Sequence, residues 1–390
     1  MRAAVIGLGF GDEGKGMVVS YLSSILKKPL VVRYSGGHQA GHAVVDERNR
    51  KHSFVNFGSG TLQGCPTYWS KHCTFEPVGF LNELADLVDL MKEDFDGIKV
   101  YLHEDCPVTT PYDINFNQKA EVEKMHGTCG VGFGETLERE SNHFHLRVSD
   151  LFNPSVLVIK LEQVAKYYGL FYKSPVDTTD FLEAVSVLNS ESKFPNEVIT
   201  VVGDTDVPSY PNTIYEGSQG LLLDQDIGFF PHVTRSNVGR KRLDNFIYHY
   251  DEVWYVTRAY QTRHGAGPMT NEDEPFTLIN LETETNEENK WQGPFRRSIL
   301  DLDLLKYAIK HDRKNIRRVQ EERLVITCLD QMVQWIYKED GDLHTCENET
   351  DFVANVAKSL GFSENIYLSR SPKNELEKWK GGNYDDKEKV

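Results

Sequence analysis

Four glycines and a lysine lie between Gly7 and Lys15, in the run Gly7-Leu-Gly-Phe-Gly-Asp-Glu-Gly-Lys15. Glycines let backbone N–H groups approach phosphate oxygens, and a lysine adds a point charge beside them. Gly9-x-x-x-x-Gly14-Lys15 follows the first part of the P-loop pattern. The Ser/Thr that holds magnesium in that pattern is absent, and Gly16 stands in its place. Asp12, inside the loop, is then the residue able to hold a metal. Ser35-Gly-Gly-His-Gln-Ala-Gly-His42 sets two histidines beside flexible glycines, a setting for proton transfer rather than core packing. Glu216-Gly-Ser-Gln-Gly220 and Arg263-His-Gly-Ala-Gly-Pro268 have the same character, and Met125 to Gly134 is a further glycine-rich stretch read as a loop. The chemistry these residues suit is the binding of phosphate groups.

Such loops need strands and helices to aim them. Ala3 to Ile6 reads as a buried strand, and Met17, Val18, Tyr21, Leu22, Ile25 and Leu26 recur at helical spacing. Pro29 to Tyr34 is a second buried strand, so the first unit is β-α-β with parallel strands. Further strands are expected at 98–102, 198–202 and 253–257; 214–220 reads as a strand followed by glycines, 323–330 as a strand ending in a loop, and 366–372 as the last strand. Helices are expected at 77–91 and 301–309, with mixed helical signals over 146–188 and an aromatic core segment at 167–171. The stretch 45–74 reads as turn-rich. The acidic stretch 271–292 reads as a solvated surface excursion and 378–390 as a frayed tail. The fold expected is α/β. It has a largely parallel central sheet flanked by helices, a P-loop-like loop after the first strand and long loop insertions, all in one domain over 1–390. Ligands then bind at the carboxyl ends of the strands.

The 390 residues are 39% hydrophobic, enough for a packed core, and carry a net charge of −16. That charge argues against nucleic acid or an anionic membrane as partner, though not against phosphate ligands in a local positive pocket. Six cysteines without a CxxC spacing read as free thiols in a reducing compartment. No apolar run reaches spanning length, and Met1-Arg2 leads straight into a strand, which together suggest a cytoplasmic protein.

Taken together, Gly11-Asp-Glu-Gly-Lys-Gly16, Arg33-Tyr-Ser-Gly-Gly-His-Gln-Ala-Gly-His42, Glu216-Gly-Ser-Gln-Gly220 and Arg263-x-Gly-Ala-Gly-Pro268 resemble, in order, the motifs of the adenylosuccinate synthetase family. The resemblance implies a ligase that joins L-aspartate to the 6-position of IMP, driven by GTP with Mg²⁺. It implies Asp12 as general base and metal ligand, His42 as acid, Lys15 as phosphate cation and the Gly41 carbonyl as a second metal contact. It also implies that Gly11, Glu13, Gly14, Gly16, Gln39, Gln219, Arg263, Asp330 and Ser371 contact nucleotide. Thr128 and Thr234 fall where the family holds the 5′-phosphate, and Arg296 and Arg297 where it binds aspartate's carboxylates. The family is a homodimer whose site takes an arginine from its neighbour.

Several positions depart from the family. Ser20 replaces an acidic residue, Gln39 an asparagine, Cys129 a threonine and Val131 an arginine, and Thr327-Cys-Leu-Asp330 lacks the lysine that covers guanine. ATP is therefore an alternative donor. The neighbour's arginine has no clean match. His143 lies near it, with Arg139 and Arg147 as alternatives. These departures are similar to those of a divergent viral branch that acts on dGMP to make a diaminopurine nucleotide, so (d)GMP stands as the alternative acceptor. Ser20 has two readings: it faces the site and admits a purine 2-amino group, or it packs under the loop. A nucleotide-binding regulator without catalysis is the alternative from another class, and the joint presence of Asp12 and His42 speaks against it.

Overall fold

Successive residues of a strand face opposite sides of a sheet, so an unbroken apolar strand belongs where both sides are covered. The computed structural model describes residues 1–381, apart from 93–96, 125 and 126, 171–174, 191–197, 245–248, 285, 287–289 and 315–318. In it Ala3 to Ile6 are fully buried within β1 (Arg2–Gly7). Ala3 and Val5 pack with Met17, Val18, Val19 and Leu22 of α1 (Lys15–Ile25), whereas Ala4 and Ile6 join the cluster on the other face. Each such buried side chain contributes about 1.5–3 kcal/mol, so Leu22→Ala alone removes a large part of what holds α1 on the sheet.

The first half of the chain continues through β2 (Leu30–Arg33), β3 (His42–Val45), β4 (Lys51–Phe54), β5 (Thr67–Trp69), α2 (Pro77–Leu90), β6 (Val100–His103) and α3 (Pro111–Lys124). Then come α4 (Phe133–Ser141), α5 (Val148–Leu151), α6 (Pro154–Gly169), α7 (Thr179–Leu188) and β7 (Ile199–Val202). The second half holds β8 (Thr213–Gly220), α8 (Arg240–Asp244), β9 (Glu252–Arg258), β10 (Gln261–Arg263), β11 (Arg296–Ser298), β12 (Leu300–Asp301) and α9 (Leu302–Asp312). It ends with β13 (Glu321–Thr327), β14 (Ile336–Glu339), β15 (Asp342–Thr345), α10 (Glu349–Ser359), β16 (Ile366–Leu368) and β17 (Glu377–Lys378).

Ten strands form one sheet in the order β17-β16-β13-β9-β1-β8-β2-β5-β6-β7. Every neighbouring pair in it is parallel except β16–β17. This is the expected α/β architecture. The chain leaves β1 toward β2 on one side, while β9, β13 and β16 build the other side. Connections thus diverge at β1, which opens a crevice at its carboxyl end.

β1 and β2 are parallel, as expected, and β8 lies between them and pairs with both. Ile214 and Tyr215 are apolar and buried, as an interior strand requires. Several sequence expectations need correction. The turn-rich stretch holds the β3–β4 hairpin and the buried strand β5. α3 forms from a polar sequence without an apolar stripe, and α10, which buries Phe352, Val353 and Val356, is a helix outside the expected elements. Ile366 to Leu368 is not the last strand, since β17 follows and Lys378 pairs with Tyr367. The tail beyond residue 381 lies outside the described residues. Tyr168 is buried but Leu170 is exposed, and Phe171 is outside the described residues. Ser20 is wholly buried and accepts hydrogen bonds from Gln63 and Asn374, so it packs under the loop rather than facing the site. The six cysteines are free, and among the described residues no helix is long and apolar enough to cross a membrane.

Candidate active site

The loop after β1 turns through left-handed backbone at Gly11 (φ 98°), Asp12 (φ 62°) and Gly14 (φ 94°). Glycine takes this region freely, and aspartate is among the few side chains that tolerate it. Three consecutive carbonyls of the loop are held from neighbouring strand ends. Thr262 Oγ1 donates to Gly11 O (3.1 Å), Arg258 Nε to Asp12 O (2.6 Å) and Thr327 Oγ1 to Glu13 O (2.8 Å). The loop's shape is therefore set by β9, β10 and β13 as much as by its own glycines.

Beneath the loop, Glu13 is buried rather than facing a ligand. Its Oε1 accepts from Gly9 N and Gly11 N (both 2.9 Å), and its Oε2 from Lys15 Nζ at 2.8 Å. Gly220 is required here, since a Cβ would stand 2.2 Å from Gly9 O and 2.3 Å from Glu13 Oε1. The P-loop's missing hydroxyl also has a steric reason. A Cβ on Gly16 would lie 2.7 Å from His42 Cβ, so glycine lets the histidine close on the helix start.

These elements enclose a cavity of about 880 Å³, near the upper end of ligand sites. Gly11, Asp12, Gly14, Lys15, Gly16, Gln39, Gly41, His42, Thr128, Gln219, Thr234, Arg263, Asp330 and Ser371 all line it. The structure thus brings together most of the residues singled out from the sequence, from loops far apart in the chain. Both amide atoms of Gln39 and the amide oxygen of Gln219 are buried there without a hydrogen-bond partner. Buried polar atoms are normally satisfied, so these invite a polar ligand.

His42 is oriented by a residue the sequence reading did not single out. Its Nδ1 lies 2.6 Å from Glu216 Oε1, and its Nε2 lies 3.3 Å from Ser218 O. Glu216 also accepts from Ser59 N (3.0 Å) and from the Ser59 hydroxyl. Burial pushes the Glu216 carboxyl up, but His42, Arg33 and Ser59 more than offset it and hold it down at about 2. Glu216 therefore stays ionised and fixes the imidazole. Burial in turn depresses His42 below the ordinary histidine value, with Glu216 opposing that shift. The signal was a carboxylate directly after the apolar pair Ile214-Tyr215 within the strand.

Desolvation raises the Asp12 carboxyl, opposed by His264, Arg258 and Lys15. His264 Nε2 stands 3.8 Å from Asp12 Oδ2. Among the described residues no three His, Cys, Asp or Glu side chains cluster to hold a metal by themselves. One carboxylate, with the carbonyl of the exposed cavity-lining residue Gly41, suits Mg²⁺, which keeps waters and takes substrate phosphates as ligands. Arg258 carries a buried ion pair of 2.7 Å with Glu284, which also lines the cavity. The acidic stretch 271–292 is thus not wholly solvated, because Glu284 turns inward. Glu287 and Glu288 lie outside the described residues.

Other expected residues are differently employed. Arg263 donates to Pro268 O and His232 O and lies over the Phe10 ring, so its guanidinium is mostly structural, and burial pushes it down to about 10. Thr128 donates to Glu121 and accepts from Asn117. Asp330 lines the cavity, and desolvation raises its carboxyl. Arg296 and Arg297 are not among the lining residues. Arg296 binds Glu272 and the carbonyls of Gly265 and Gly267, because β11 lies antiparallel to β10 and turns it onto that loop. Arg139 is fully buried against Asp113, Val108 O and Phe144 O, so it cannot reach a neighbouring subunit. Arg147, paired with Asp105, is partly exposed.

The family profile described as Adenylosuccinate synthetase matches residues 4–336 of this chain. The chain belongs to the adenylosuccinate synthetase family. It is 34% identical over 289 residues to the adenylosuccinate synthetase of Psychromonas ingrahamii, covering 70% of this chain and 64% of that protein. It is 33% identical over 297 residues to that of Edwardsiella ictaluri, covering 70% and 65%. The matched segments thus span just under two thirds of these relatives. Among solved structures, fully ligated adenylosuccinate synthetase from Plasmodium falciparum superposes with a TM-score of 0.75 at 17% identity, over 96% of this chain and 98% of that one. Cyanophage S-2L succinoaminodeoxyadenylate synthetase (PurZ), bound to dGMP and to dATP as an energy donor, gives 0.58 at 14% identity, over 97% and 95%. At such identities the likeness is one of fold. The glycine motifs supply the cavity-lining segments at the ends of β1, β2, β8 and β10, whereas those after β13 and β16 carry none.

Proposed function

We propose that the protein joins L-aspartate to the 6-position of IMP through a 6-phosphoryl intermediate, at the expense of GTP. The observation that carries this reading is the convergence of Asp12, Lys15, His42 and Gln219 on one cavity. A desolvated carboxylate whose pKa is raised is a better base near neutral pH than a free one. In the proposed reaction Asp12 takes the N1 proton, and O6 attacks the γ-phosphorus. The O6–P bond forms, the bridging β–γ P–O bond breaks, and the nucleoside diphosphate leaves. Aspartate's amine then attacks C6, the C6–O bond breaks, inorganic phosphate departs and the amine loses a proton. His42, held by Glu216, donates a hydrogen bond to the charge that develops on the phosphoryl oxygens. Asp12 and the Gly41 carbonyl are the residues that would hold Mg²⁺, which when bound offsets charge on the transferring group.

Asp330 is assigned to the base of the donor, since its carboxylate can accept from guanine N1–H and the 2-amino group. Arg297 is assigned to aspartate in preference to Arg296. Its guanidinium lies over Phe295, whose ring meets His264 beside Asp12, and its Nε is buried without a partner. A homodimer in the cytoplasm is part of the same proposal, with no nucleic acid or membrane partner. Acceptor and donor are tested together: IMP, dIMP, GMP and dGMP against GTP and ATP, with aspartate, read as phosphate release. IMP with GTP should give the highest kcat/KM. Turnover confined to dGMP would move the protein to the diaminopurine reaction, and no aspartate-dependent phosphate release in any combination would refute ligase chemistry.

A further inference from the structure

Three arginines line the cavity, and only Arg235 is exposed, since Arg258 and Arg263 are buried. Arg235 follows Thr234, and its backbone is firmly placed. Thr234 N donates to Leu223 O (2.8 Å) and Gln225 N to Ser236 O (3.2 Å). The buried Asp224 carboxylate accepts from Asp226 N (2.8 Å), Asn237 Nδ2 (3.1 Å) and Val238 N (2.6 Å). The side chain reaches across to α4. Its Cδ and Nε lie 3.7 Å from where a Cβ on Gly134 would stand, and its guanidinium pairs with Glu138.

That wall also carries Thr128, Val131, Phe133 and Glu135. α4 starts at a left-handed Gly132 with no side-chain cap, which leaves first-turn N–H groups available. Without Arg235 the wall is acidic. Glu135 lines it, Glu138 lies one turn on, and Glu121 stands behind Thr128. An anion is accepted there only with a cation, and Arg235 supplies it. Its pair with Glu138 is half exposed at both ends, 51% and 44%, and such pairs are weak enough to exchange. A guanidinium that trades one carboxylate for a phosphate keeps its forked geometry.

We propose that Arg235 is the cation that binds the 5′-phosphate of the nucleoside monophosphate, from the same subunit that supplies Asp12 and His42. The inference rests on the proposed function for the identity of the ligand. Arg139, being buried, cannot take this role.

The test uses the full chain as wild type, Arg235→Ala, Arg235→Lys and Glu138→Gln. Steady-state kinetics at saturating donor and aspartate is paired with calorimetric binding of IMP and dGMP and of the phosphate-free inosine and deoxyguanosine. Arg235→Ala should raise the monophosphate KM by about 10-fold or more, as loss of one charge-assisted bond predicts, with kcat nearly kept. Arg235→Lys should fall between, and nucleoside binding should not change. Glu138→Gln should bind monophosphate as well as wild type or better. An unchanged KM in Arg235→Ala, an equal loss of nucleoside and nucleotide binding, or equal defects in Arg235→Ala and Glu138→Gln would overturn the inference. If wild type turns over a monophosphate, only the role of Arg235 is then at stake. If wild type neither binds nor uses any of them, the proposed function itself fails and the inference with it.

Discussion

Asp12 holds left-handed backbone, carries a carboxyl raised by desolvation and has its carbonyl clamped by Arg258. Asp12→Asn keeps the shape and removes the base. Turnover should fall by about 10² or more while nucleotide binding changes little. Single-turnover rates beside equilibrium binding check this, and a rate within a few-fold of wild type removes Asp12 from the chemistry. Ser20 illustrates the opposite outcome. Helical spacing allowed it to face the site, but the structure buries it with Gln63 and Asn374 as hydrogen-bond donors. Ser20→Asp should therefore cost about 1–3 kcal/mol of stability, the scale of a mismatched buried polar group, without changing the choice of purine. A shift of kcat/KM from dGMP toward IMP in a folded Ser20→Asp protein would contradict the packing.

At the scale of elements, β10 and β11 decide which arginine can serve a substrate. Their antiparallel register turns Arg296 onto the Gly265 and Gly267 carbonyls, where it locks the loop beside His264. Arg297 has an unsatisfied buried Nε instead. Arg297→Ala should raise the KM for aspartate about 10-fold, while Arg296→Ala should mainly lower the melting temperature. Aspartate saturation curves and thermal melts of both variants separate the two roles, and the reverse pattern would reassign them. The loop after β1 shows the same dependence on neighbours, since its Gly11, Asp12 and Glu13 carbonyls are fastened by three other strand ends.

For the molecule as a whole, Asp312 ties α9 to α8 and β9. Its carboxylate accepts from Arg240 N (2.7 Å) and Tyr255 OH (2.8 Å). Burial raises it from 3.8 to about 6. The folded state therefore binds this proton more tightly than the unfolded chain does. The resulting stability is fully present below about 3.8 and is lost as pH rises through about 6. Asp312→Asn removes that dependence. Between pH 4.5 and 7.5 its stability relative to wild type should improve by about 2 kcal/mol, read from urea melts at the two pH values. A constant difference across that range would mean that Asp312 is ionised throughout. The proposed homodimer is checked by sedimentation. If Arg235 serves its own subunit, specific activity should stay constant on dilution even where dimers dissociate.

The glycine motifs and the lysine were legible because each is a local string whose spacing fits phosphate binding, whereas the acid–base roles of Asp12 and His42 rest on the family resemblance. The parallel α/β class was legible too, since strands buried on both faces read as unbroken apolar runs. The sequence could not show that β8 enters between β1 and β2, because strand order depends on which buried faces match across the whole sheet. Nor could it separate Glu13, buried beneath the loop and paired with Lys15, from Asp12 and Lys15, which reach the cavity. Arg139, Arg235, Arg258, Arg263 and Arg296 look alike in sequence. Only tertiary packing decides that one is buried against Asp113, one clamps the loop, two brace carbonyls and one stands exposed at the cavity wall. Desolvation and hydrogen-bond partners fix those roles, and both are properties of surroundings assembled from distant parts of the chain.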